Sequence, residues 1–119
     1  PAQGPDGFPC AGAAVTEPNW HVVGAVDDVP REDVIGVTVG ESQLAIVRTS
    51  DDRFFAVDGL CTHGRASLVE GFVDGTEIEC PKHNGRFDVT TGEAVASPAR
   101  VALRTHPCSV NDGCIQVQL

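Results

Sequence analysis

Two short segments of this chain concentrate the side chains able to grip a metal: Cys61-Thr62-His63-Gly64 and Cys80-Pro81-Lys82-His83-Asn84-Gly85. Each supplies one soft thiolate and one imidazole, first as C-x-H and then, sixteen residues on, as C-x-x-H. Two Cys and two His are a common zinc set, and structural zinc sites usually leave about two to four residues between paired ligands. The single residue between Cys61 and His63 is tight for two ligands on one tetrahedral ion. A dinuclear iron–sulfur centre suits the spacing better, because each loop can give its Cys to one iron and its His to the other. A structural zinc module without redox function stays as the rival, and colour separates the two.

Something must bring the two pairs together. The segment between them contains Asp74-Gly75, a strong two-residue hairpin signal flanked by Phe72-Val73 and Thr76-Glu77-Ile78-Glu79. A hairpin returns its ends to one place, so the four ligands are expected to converge. The same short-strand pattern runs through the rest of the chain from Trp20. Strands are expected over Val22–Val26, Val34–Val39, Gln43–Arg48 and Arg53–Val57, with Leu44 and Ile46 alternating at period two. Asp28 to Val34 is the best helical candidate. In the last hairpin, an Asp112-Gly113 turn sets Val110 opposite Ile115 and Cys108 opposite Val117. Cys108 and Cys114 then lie on different faces, so each is expected to be a small packing residue rather than half of a shared disulfide. Short strands without a long helix predict an all-β antiparallel sandwich with a two-loop metal subdomain at about residues 59–90.

Composition narrows the possible partners. With 17 acidic and 8 basic residues the net charge is −9, which disfavours nucleic acid and anionic membranes. No apolar run is long enough to span a bilayer, and residues 1–19 lack the pattern of a secretory signal. Residues 1–19 therefore read as a loosely held extension, and residues 20–119 as one domain in the cytoplasm. The absence of Met fits either removal of an initiator before Pro1 or a trimmed N-terminus. Five Cys without a signal suggest a reducing compartment where thiols serve metals. Cys10 then reads as a free thiol in the extension, His21 and His106 as ordinary histidines, and Trp20 as a packing anchor. No nucleophile–base pair, phosphate loop or substrate pocket is visible, so no catalysis and no small-molecule substrate are expected of the chain alone.

Residues 59–92 resemble the cluster-binding region of Rieske ferredoxins, including Pro81 and the closing Asn84-Gly85-Arg86-Phe87-Asp88. The likeness extends in outline over residues 20–119 and is most specific to the ferredoxin components of bacterial aromatic-ring-hydroxylating dioxygenases. It implies one [2Fe–2S] cluster, with Cys61 and Cys80 on the buried iron and His63 and His83 on the outer one. It also implies a monomeric one-electron carrier between a flavin-containing, NAD(P)H-dependent ferredoxin reductase and a terminal Rieske oxygenase. The alternative within the fold is the Rieske-like small subunit of an assimilatory nitrite reductase. The N-terminal domain of an oxygenase subunit is disfavoured, because the sequence leaves no length for a mononuclear iron domain.

Departures from the high-potential respiratory branch carry information. Ala66 and Lys82 stand where that branch has an extra pair of Cys, and Gly85 and Phe87 where it has Ser and Tyr donors. Fewer hydrogen bonds to the cluster sulfurs leave the reduced state less stabilised. A redox titration is therefore expected to give a midpoint near the low end of the Rieske range, about −150 mV rather than about +300 mV, and a clearly positive value would refute the reading. Leu68 and Pro81 are expected to shield the cluster, and Gly64 and Gly85 to let backbone approach it. Arg65, Lys82 and Arg86 read either as a basic tip that docks on acidic partner surfaces or as three solvated loop side chains in an otherwise acidic chain.

Overall fold

The computed structural model describes residues 20–62, 66–82, 84–97 and 99–119. Eleven strands follow in chain order: β1 Trp20–Ala25, β2 Asp33–Val39, β3 Ser42–Arg48, β4 Phe54–Asp58, β5 Phe72–Asp74, β6 Glu77–Glu79, β7 Arg86–Asp88, β8 Ala94–Ala96, β9 Thr105–His106, β10 Cys108–Asn111 and β11 Cys114–Gln118. They form three sheets, ordered β1-β11-β10, β2-β3-β4-β9 and β5-β6-β7-β8, and each of their pairings is antiparallel.

The middle sheet is the spine. Leu44, Ile46 and Ala56 pack with Val29, Ile115 and Val117 of the first sheet's side. Their neighbours Ala45, Val47 and Val57 point the other way and pack with Leu68, Ile78, Phe87 and Val89. Successive residues of a strand face opposite sides, so a strand buried on both faces must be apolar without interruption. Leu44-Ala45-Ile46-Val47 meets that need, and all four are buried. Leu44 and Ile46 share one face, as the period of two expects, and Ala45 and Val47 add a second apolar face. The all-β antiparallel class holds, with the metal subdomain built as a third sheet on the spine.

Turn chemistry accounts for the hairpins. Asp112 and Gly113 both have positive φ, 54° and 77°, and the register Val110–Ile115 and Cys108–Val117 follows. The other hairpin turns one residue later than expected, because Asp74 pairs with Glu77 and leaves Gly75-Thr76 as the loop. The helical expectation at Asp28–Val34 is also corrected. A single 3₁₀ turn forms earlier, at Val26–Asp28, where the Asp28 carboxylate accepts from Ala25 N at 2.9 Å. Pro30 disfavours helical geometry in the residue before it. Two residues later Glu32 turns to φ 54° and accepts from Gly75 N at 2.9 Å, which ties this loop to the tip of the β5–β6 hairpin.

Cys108 is a free thiol that burial pushes up to about 11, as a packing residue should be. Cys114, by contrast, is disulfide-bonded, so the expectation that it serves in packing alone is corrected. Among the described residues no helix is long and apolar enough to cross a membrane.

Candidate metal centre

Two loops carry the thiols, the first running from β4 of the spine to β5 and the second joining β6 to β7. In the first, Cys61 N donates to Ala66 O at 2.8 Å and Leu68 N to Gly59 O at 2.8 Å, beside a Leu60–Ser67 bridge. In the second, Cys80 N donates to Gly85 O at 2.7 Å, and Glu79 pairs with Arg86 just below. Gly71, at the hairpin's start, lies so close to β6 that an added Cβ would stand 2.1 Å from Glu79 O. That contact draws the two loop bases together.

Cys61 and Cys80 are 1 % and 0 % exposed and belong to one apolar cluster with Leu68, Phe87 and Ala99. Burial is the main cause that raises the Cys80 thiol above its usual range. The backbone N–H of Lys82 opposes that shift, and the neighbouring Cys61 thiol reinforces it. The structure thus brings two thiols side by side in a dry setting. Such a pair becomes anionic only against a strong local positive charge, which a bound iron supplies. The donor set fits the thiolate half of a [2Fe–2S] cluster. The other two expected ligands, His63 and His83, and with them Gly64 and Arg65, lie outside the described residues.

A third segment, residues 99–103, packs against both loops. A Cβ on Gly85 would stand 3.0 Å from Ala99 Cβ, and the Thr62 hydroxyl donates to Val101 O at 2.6 Å across 39 residues of sequence. At its far end Leu103 N donates to Gly92 O at 2.7 Å, where Gly92 has φ 84° and no room for a side chain. Thr62→Val keeps the shape and removes that donor. It is expected to lower cluster retention during thermal incubation and to cost about 1 kcal/mol of stability, the usual worth of one hydrogen bond. Bleaching of the visible absorption at a fixed temperature checks this, and an unchanged rate would mean that packing alone holds the segment.

Several sequence expectations are refined here. Leu68 is fully buried as a shield, whereas Pro81 is exposed at the rim. Gly85 is buried against Ala99, which explains its lack of a side chain. Arg86 does not join a basic tip. Its guanidinium contacts Glu79 at 2.8 Å, Asp74 at 3.2 Å and Glu77 at 3.3 Å, and those carboxylates, Asp74 foremost, raise its pKa. The register Glu79–Arg86 puts them on one outward face of the sheet, a neutralisation that strand pairing reveals and loop position conceals. His21 is exposed on β1, and His106 Nε2 lies 2.9 Å from Asp58 Oδ1, so neither joins the two thiols. Residues 99–103 are what sequence reasoning missed. The one available signal was a short Ala-Arg-Val stretch too irregular for a strand.

Known proteins place this geometry. A family model described as the Rieske [2Fe-2S] domain matches residues 19–107. The chain is 39% identical over 101 residues to a ferredoxin component of naphthalene 1,2-dioxygenase/salicylate 5-hydroxylase systems from Ralstonia sp, covering 85% of this chain and 96% of that protein. Among solved structures it resembles a chain in a complex of reduced oxygenase and oxidized ferredoxin in carbazole 1,9a-dioxygenase, at TM-score 0.79 and 40% identity over 86% of this chain and 94% of that one. A nitrite reductase small subunit from Mycobacterium tuberculosis shares the fold at TM-score 0.76, with 24% identity over 84% of this chain and 94% of that one. With the two thiol loops, the capping segment and a family match over most of its length, the chain belongs to the Rieske [2Fe–2S] family.

Proposed function

We propose that this chain is the ferredoxin of a multicomponent aromatic-ring-hydroxylating oxygenase system, a one-electron carrier rather than the enzyme that meets substrate. The observation that carries the reading is the pairing of Cys61 and Cys80, buried side by side at the end of a sheet and roofed by residues 99–103. The relatives named as ferredoxin components of dioxygenase systems support the role. Cys61, His63, Cys80 and His83 are the proposed ligands. The bound [2Fe–2S] group supplies reversible one-electron chemistry. With two ferric ions, two sulfides, two thiolates and neutral His, a bound cluster would be neutral when oxidised and would carry −1 when reduced, so the pocket would have to tolerate a change of one charge.

The residues described have separable duties. Cys61 and Cys80 hold charge in a water-free pocket, Lys82 N–H steadies the Cys80 sulfur, and Leu68 and Phe87 exclude water from below. The tight loop hydrogen bonds keep the pocket's shape as its charge changes by one. The electron donor in this proposal is a flavin-containing NAD(P)H-dependent reductase, the acceptor a terminal Rieske oxygenase, and the carrier a monomer in the cytoplasm. The nitrite reductase reading rests on a likeness of fold alone, since that relative is only 24% identical.

Reconstitution tests the proposal. NADH, a flavin ferredoxin reductase and the oxygenase component of a naphthalene 1,2-dioxygenase system are combined with and without this chain. Hydroxylated product that requires the chain is the expected result. Reduction of the chain without product, across the oxygenase components of the naphthalene, p-cumate and carbazole systems, would contradict it.

A further inference from the structure

The charges of this chain are sorted by position. Arg31 and Arg48 share Asp52, at 2.6 and 3.1 Å, and Arg53 holds Asp51 at 2.8 Å. Arg86 is neutralised by Asp74, Glu77 and Glu79. These pairs lie on the spine and along the cluster hairpin. Glu32, beside Arg31, reaches Gly75 N at the hairpin's turn, which is the end away from the ligand loops. Among the described residues, the cations without a carboxylate partner are Lys82, Arg100 and Arg104. All three are exposed, and all three sit at the opposite end. Lys82 is in the second ligand loop, Arg100 follows Ala99 where that residue touches Gly85, and Arg104 O accepts from Asp58 N at the base of the first loop.

An apolar contact stands among them. Val101 is 64 % exposed, its neighbour Ala102 is also exposed, and the Thr62 hydroxyl fastens Val101 to the loop that carries Cys61. Isolated exposed apolar residues are ordinary. An exposed valine flanked by unpaired cations, on a segment tied to both ligand loops, is a different arrangement. The centre of a docking patch is apolar and its rim is charged. Glu41 and Asp58 line a groove that Cys61 and Thr62 also border, so an acidic margin adjoins this end.

We infer that Val101, with Lys82, Arg100 and Arg104 around it, is the docking patch through which this chain engages a partner whose electron-accepting face is apolar at its centre and carboxylate-bearing at its rim. Resting on the function proposed above, the occupant is the terminal oxygenase. Among the described residues the unpaired cations lie at one end of a chain of net charge −9, and that end attracts carboxylates which the net charge repels.

The local sign can be read with hexacyanoferrate(III), a trianion that takes one electron from the reduced protein and becomes hexacyanoferrate(II). Net charge alone demands that added salt speed this reaction, by screening repulsion. The patch demands that salt slow it. Arg100→Glu is expected to cut the low-salt rate by about 10-fold, in the range of electrostatic steering, while the same charge change in Arg31→Glu alters it by less than about 2-fold. A rate that rises with salt, or equal slowing by both variants, would overturn the patch. The occupant is tested by calorimetric binding to the oxygenase component of the naphthalene system. There Arg100→Glu and Val101→Asp are each expected to weaken binding at least about 10-fold, with Arg31→Glu near wild type and every variant keeping the cluster's visible spectrum. Equal affinity for wild type and the Arg100 and Val101 variants would overturn the inference while leaving the function standing. A wild type that shows the salt effect but binds and reduces no oxygenase would overturn the function, and with it the occupant.

Discussion

Cys80→Ser is expected to yield protein without a cluster, colourless as purified and silent in EPR after reduction. Cys80 is fully buried beside Cys61, and a serine hydroxyl ionises far less readily than a thiol, so the iron on that side loses an anionic ligand. The four histidines make the experiment discriminating. His63→Ala and His83→Ala are expected to give the same loss, whereas His21→Ala is expected to keep full iron content. His106→Ala removes a contact of 2.9 Å with Asp58 and should keep the spectrum at a modest cost in stability. Full iron and sulfide in the Cys80 or His83 variant would contradict the assignment. Apo protein from His21→Ala or His106→Ala would point to a ligand set other than the proposed one.

Phe87→Ala is expected to be the most destabilising single change outside the ligands. Phe87 is 0 % exposed and is the largest fully buried side chain, packed between the cluster sheet and the spine. Removing a buried Phe ring costs about 3–5 kcal/mol, while a domain of this size is stable by only about 5–15 kcal/mol. Denaturant unfolding of the holo protein should show a large fall in midpoint, with cluster bleaching moved in step. Phe87→Leu, which fills most of the space, should recover more than half of the loss. A Phe87→Ala protein within about 1 kcal/mol of wild type would mean that the cluster sheet is not held to the spine by this contact.

The sequence made some levels of this molecule legible and hid others. Turn chemistry carried far, because Asp112-Gly113 has few conformations open to it and strand register follows from the turn. The thiol pair was legible for a different reason: Cys61 and Cys80 stand near the two ends of a hairpin spacer, which returns its ends to one place. Arg86 was misread because its position in the chain says it borders a ligand loop, while its position in the register says it faces Glu79 and Glu77. Nothing local distinguishes those cases. The double-sided burial of Leu44 to Val47 was half seen, since alternation is sought by default and a short continuous apolar run reads equally well as either. Residues 99–103 are held by contacts with Gly85, Gly92 and Thr62, all distant in sequence, so their role over the thiol pocket appears only once the chain is folded.

The most direct test of the account is elemental analysis of protein purified without oxygen. Two iron atoms and two acid-labile sulfides per chain, with an EPR signal that appears on adding one electron, are what a pair of sulfur and a pair of nitrogen donors around this pocket should give. One zinc per chain and no sulfide would contradict it.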